Sequence, residues 1–109
     1  MKRVIDIRNL RNHYANDMVF VTQHAAERCK QRGIKMRDIK EAVMNGIIIE
    51  EYPDDFPFPS CLILGYNIKN IPIHIVMSEE GTASHIITSY IPTLDKWEFG
   101  YEKRKGQGK

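Results

Sequence analysis

The chain has 109 residues, 42% hydrophobic and 28% charged, which suits one domain, is too few for two ordinary ones, and argues against a mainly disordered state. No apolar run approaches the roughly 20 residues needed to span a bilayer, and the basic start MKRVIDIRNLRNHY lacks the uninterrupted apolar middle of a signal peptide. A cytoplasmic protein is therefore expected, with its two cysteines, Cys29 and Cys61, as buried free thiols outside any Cys-x-x-Cys pair. The net charge of +2 is unevenly spread: residues 1–40 carry ten basic and four acidic side chains, residues 41–102 two and ten, and residues 103–109 four and none. That asymmetry suits a polyanion such as RNA, or two halves that neutralise each other in the fold.

In chain order, Val4, Ile7, Leu10 and Tyr14 recur at helical spacing and predict a helix over about residues 3–14. Met18 to Val21 is a short apolar run. Thr22 is a plausible N-cap for a helix over about 23–32 whose apolar face is Ala25, Ala26 and Cys29, and Gly33 supplies a left-handed stop. A further helix over about 36–45 turns Met36, Ile39, Ala42 and Val43 inward; it starts after Lys35, a poor cap. Strand patterns follow from Ile47, over Cys61–Tyr66, Pro72–Ser78 and Ser84–Ile91. Tyr52–Ser60 reads as a proline-rich loop, Asn67–Asn70 as a turn and Glu79–Thr82 as a hairpin turn. Trp97, Phe99 and Tyr101 are candidates to pack back on the sheet.

Helices first, then strands with hairpin-length links, predict one α+β domain over residues 1–102. N-terminal helices, with 1–17 as an extra one, pack on one face of a mostly antiparallel sheet of about four strands. Residues 103–109 are expected to be a disordered basic tail.

His24, Arg28 and Gln31 share a helical face: Arg28 lies about 40° from His24, Gln31 about 20° the other way, and Arg32 about 80° off at its edge. Guanidiniums grip phosphate oxygens bidentately and an imidazole moves a proton, so this face suits a phosphodiester; a solvated helix face is the plainer alternative. His74 sits between Ile73 and Ile75, and alternation turns it with Val76 away from them. It is either a core histidine held by a backbone carbonyl or, if its strand pairs with the last one, a neighbour of Thr88 and Tyr90 on one sheet face. Neither Arg28 nor His74 is assigned core packing, so losing either is expected to spare folding. The four histidines stand far apart with no His-Glu-x-x-His pattern, so neither metal nor cofactor is expected.

Four blocks together resemble a known family. They are T-x-H-A-x-x-R-x-x-x-R-G-I (Thr22, His24, Ala25, Arg28, Arg32, Gly33, Ile34), I-x-E-x-Y-P with L-I-L-G (Ile48, Glu50, Tyr52, Pro53, Leu62 to Gly65), P-I-H-I-V (Pro72 to Val76), and T-x-Y-x-P followed by D-K-W (Thr88, Tyr90, Pro92, Asp95 to Trp97). Over about residues 18–98 the chain resembles domain of unknown function 4258. The resemblance implies the toxin side of type II toxin–antitoxin pairs, with a zinc-finger, helix-turn-helix antitoxin as partner. It also implies a layout similar to the RelE, ParE and MqsR toxins, many of which cleave mRNA without a metal.

Two functions are thus expected in contention. The first is a metal-independent endoribonuclease in which His24 and His74 form the acid–base pair, Tyr90 orients the phosphate or donates a proton, Arg28 and Arg32 hold the phosphate, and Thr88 supports them. Tyr52, Phe56 and Phe58 would stack on unpaired bases, or merely cover the sheet edge. The second is a non-catalytic protein- or nucleic-acid-binding module that uses the same polar face.

Overall fold

Local hydrogen bonds set the helix ends in the computed structural model, which describes residues 4–106. Helix α1 (Ile7–Ala15) begins where Asp6 accepts from the Arg8 N–H, later than the expected start at residue 3; residues 1–3 lie outside the described ones. The Thr22 hydroxyl caps α2 (Gln23–Gln31) by accepting from the Ala25 N–H at 3.0 Å. Gly33, at φ 72°, turns the chain directly into α3 (Met36–Asn45). Lys35 gives that helix no side-chain acceptor, but Asp38 reaches back to the Lys35 N–H at 2.9 Å and supplies half of a capping box.

Five strands follow the order β1-β5-β4-β3-β2, not the expected four. Strands β2 (Ile47–Tyr52), β3 (Ser60–Tyr66), β4 (Pro72–Glu79) and β5 (Ser84–Tyr90) pair antiparallel in sequence order. The added strand, β1 (Val19–Val21), pairs parallel to β5 and makes the open sheet mixed. Three residues are too few to display an alternation, which is why the Met18–Val21 run does not read as a strand. The hairpin between β4 and β5 turns at Gly81, with φ 108°.

The three helices cover one face of the sheet. Leu10, Cys29, Ile39, Ala42 and Val43 from the helices form a continuous core with Cys61, Ile63, Ile73, Ile75, Met77 and Ile86 from the sheet. Helix α3 approaches β3 so closely that a Cβ on Gly65 would lie 1.9 Å from the Ala42 carbonyl oxygen. His13 ties α1 to the β4–β5 hairpin: its Nδ1 meets the Ser84 hydroxyl at 2.5 Å and its Nε2 the Gly81 carbonyl at 3.1 Å.

The opposite face carries Leu62, Leu64, His74 and Tyr90, and the chain after β5 crosses it. Trp97 is buried there and Arg104 bridges to it, whereas Phe99, expected to pack, is 94% exposed. Within the expected basic tail, Arg104 is held by Glu50 at 2.8 and 3.1 Å; residues 107–109 lie outside the described ones.

Candidate functional site

Strand pairing decides which polar groups meet. His74 on β4 is directly opposite Tyr90 on β5, and Val76 opposite Thr88, so His74, Thr88 and Tyr90 share the face turned away from the helices. His74 has no exposed surface. Its Nε2 lies 2.9 Å from the Tyr101 carbonyl, which can only accept, so Nε2 carries the proton. Nδ1 is then the acceptor, 3.2 Å from the Tyr90 hydroxyl, which donates to it. Trp97 meets the imidazole edge-on, with ring centroids 4.3 Å apart. Burial lowers the His74 pKa below its ordinary 6.5, so the ring is neutral at pH 7.

Around this pair the post-β5 segment builds a cleft of about 450 Å³. It is lined by Arg32, Tyr90, Thr93, Lys96, Trp97 and Arg104, with Ile91 and Pro92 as its apolar part. Arg32, at the end of α2, reaches over the edge of β5: its Nη1 donates to the Ser89 carbonyl at 2.7 Å and the Thr88 hydroxyl at 3.2 Å. This reach is possible because β1 covers β5 only from Ser84 to Ile86 and leaves the rest of that edge open. Arg104 lies over the Trp97 ring at 4.7 Å and pairs with Glu50, whose carboxyl it holds below the usual carboxylate range. The Tyr52 hydroxyl also donates to Glu50, and burial first, then that hydrogen bond, pushes the Tyr52 phenol up to about 12. With Glu50 offsetting Arg104, Arg32 and Lys96 give the cleft its surplus positive charge. Burial also raises the Tyr90 pKa, which keeps its phenol protonated.

The structure therefore joins Arg32, Thr88, His74 and Tyr90 and separates them from His24 and Arg28. Both of these are exposed on α2, which packs on the other face through Ala25 and Cys29, and neither makes a side-chain hydrogen bond among the described residues. Along α2 each step of four residues advances about 100° × 4, or 40° beyond a full turn, so Arg28 and then Arg32 swing progressively towards the inward side marked by Cys29. Only Arg32 reaches the sheet edge. His74 and His24 do not form the expected pair, because alternation sends His74 through the sheet. His74 is also a buried side chain packed against Trp97, which corrects the expectation that it has no part in core packing.

Sequence reasoning misses Lys96, Arg104 and Glu50 as site residues. Asp95-Lys96-Trp97 stands in a matching block but draws attention only to its tryptophan, and Arg104 is hidden in the Lys-Arg-Lys run. The described residues contain no group of three or more His, Cys, Asp or Glu placed to hold a metal ion, and no helix among them is long and apolar enough to cross a membrane.

A family model described as Domain of unknown function (DUF4258) matches residues 21–91. The match takes in α2, α3 and the sheet from β2 to β5, and it ends where the cleft-forming segment begins. No curated protein and no solved structure matches the chain.

Proposed function

The chain belongs to the DUF4258 family, and from that footing we propose that it is the toxin of a type II toxin–antitoxin pair, with a RelE-like fold, that cleaves RNA without a metal ion. The observation that carries the proposal is the cleft itself: Arg32, Lys96 and Arg104 line the same cleft as a tyrosine whose hydroxyl is hydrogen-bonded to a buried neutral imidazole. Cations that converge on a proton-transfer group are what phosphodiester transesterification requires. The toxin role and the antitoxin partner rest on the resemblance of the four sequence blocks.

RNA brings its own nucleophile. Tyr90 takes the 2′-hydroxyl proton while passing its own proton to His74 Nδ1, and the charge on the resulting imidazolium is eased by the Tyr101 carbonyl at Nε2. The 2′-oxygen attacks phosphorus and the bond to the 5′-oxygen breaks. Lys96 protonates the leaving oxygen, and the products are a 2′,3′-cyclic phosphate and a 5′-hydroxyl. Arg32 offsets the charge that builds on the phosphorane oxygens, while Arg104, paired with Glu50, walls the cleft. His74 acts through Tyr90 and is a positioning and proton-accepting residue rather than one that touches the substrate.

A second reading, a non-catalytic module that binds an anionic partner in the same cleft, is favoured by one observation: both His74 nitrogens are already engaged and the ring is sealed from solvent. RNA cleavage in EDTA separates the two. Under the first reading the wild type cleaves, and Tyr90→Phe and Arg32→Ala each lose about 100- to 1000-fold in rate. An intact substrate with the folded wild type, or Tyr90→Phe at full rate, leaves the binding module.

A further inference from the structure

The sheet face that carries the cleft continues along β5 to a second concavity, of about 280 Å³, bounded by Phe56, Phe58, His85 and Ile87 with Asp55 and Ser78 at its margin. It lies on the cleft side of the sheet, because His85 pairs with Ser78 and Tyr90 with His74, and each pair shares a face. Phe58 stacks on His85 with the rings 3° from parallel and 6.4 Å apart. Phe20, opposite His85 in the parallel register with β1, adds a third ring at 5.8 Å. The concavity is open to solvent: Phe56 at its rim is 95% exposed, Phe20 47% and neighbouring Ile87 48%, while Phe58 and His85 are half-buried. Such a cluster is costly to leave open on a small domain and indicates contact with something flat and apolar.

The charges nearby decide which part of a nucleic acid fits. Among the described residues no lysine or arginine lines this concavity. The one carboxylate among its lining residues is engaged within the protein: Asp55 accepts from the Ser60 hydroxyl. A phosphate is unwelcome there and a base is not. The cleft has the reverse character, with cations and a hydroxyl. Five steps along β5 lead from His85 to Tyr90, roughly 15 Å of extended backbone, and Thr88 faces the same way between them.

We propose that this shelf stacks unpaired bases of single-stranded RNA while a phosphate of the same strand occupies the Arg32–Tyr90 cleft. The proposal rests on the RNA reading given above and adds to it the substrate class: an unstructured strand, since a base within a duplex presents no open face to a ring.

The test is fluorescence anisotropy with a labelled 2′-O-methyl oligouridylate 12-mer and a labelled 2′-O-methyl 12-base-pair duplex, which lack the nucleophile and stay intact, over a range of salt, using the full chain. The wild type binds the single strand more tightly than the duplex. Phe56→Ala and Phe58→Ala each weaken single-strand binding by about 5- to 150-fold and leave the salt slope unchanged; Phe58→Trp restores it. Arg32→Ala instead flattens the salt slope, by roughly 0.7 for each phosphate that the protein no longer neutralises. Shelf variants that bind like the wild type, alongside a weakened Arg32→Ala, overturn the shelf, spare the cleft, and turn the aromatic face over to a protein partner. A wild type that prefers the duplex also overturns it. If the wild type binds neither RNA, the RNA reading falls and the shelf falls with it.

Discussion

Replacing His74 by glutamine should remove one acid-sensitive component of stability and leave the rest. In the fold the His74 pKa is lowered by burial, whereas in the unfolded chain the ring titrates near 6.5. The unfolded state therefore binds more protons below that value, so stability is full above pH 6.5 and is lost as pH falls towards the folded-state pKa. One proton taken up differentially costs at most about 1.4 kcal/mol per pH unit. Between pH 7.5 and 5.5 the wild type should lose up to about 1.4 kcal/mol through this ring alone. Glutamine does not titrate, and its amide can still donate to the Tyr101 carbonyl, but it gives up the edge-on packing with Trp97. His74→Gln should accordingly be less stable at pH 7.5 by about 1 to 3 kcal/mol and should lose less than the wild type on acidification. Urea unfolding of both proteins at the two pH values measures this, and the other three histidines cancel in the comparison. Equal acid losses in the two proteins would refute the claim that His74 is held neutral by burial.

Two further substitutions test the frame around the site. Gly65→Ala should destabilise by about 3 kcal/mol or more, because its new Cβ meets backbone rather than a movable side chain, so the variant should melt far below the wild type in a thermal scan. Arg104→Ala removes a partly exposed pair with Glu50 and a cation from the Trp97 face, which should cost about 1 to 2 kcal/mol; quenching of Trp97 fluorescence by acrylamide should rise, and unchanged quenching would mean that the segment is held without Arg104.

Much of the layout was legible because it follows from short-range chemistry. The Thr22 cap and the Gly33 stop are each decided by a few adjacent residues. The β2–β5 meander follows from alternation and from turns short enough to read, such as that at Gly81. His74 also read correctly as a residue turned from its isoleucine neighbours, since a strand reverses its face at each residue.

The site depended on relations with no local signature. Whether α2 covers the face bearing His74 or the other one cannot be read from either segment, since both faces of β4 carry apolar residues; packing of Cys29 against the Ile73–Ile75–Met77 face settled it and parted His24 from His74. The parallel β1–β5 pairing joins Val19–Val21 to residues more than sixty positions away, and its shortness leaves the edge over which Arg32 reaches Ser89. The cleft wall is the most remote case. Arg104 lies fifty-four positions from Glu50, in a basic run that reads as solvated tail, and only the return of the chain across the sheet gives that arginine a carboxylate to pair with and an indole to cover. Sequence alone determined the three helices, the strands from β2 to β5 and which groups each presents, because a few neighbouring residues fix a cap, a turn or an alternation. The tertiary structure decided which groups share a face, because that depends on how distant segments bury their apolar surfaces together.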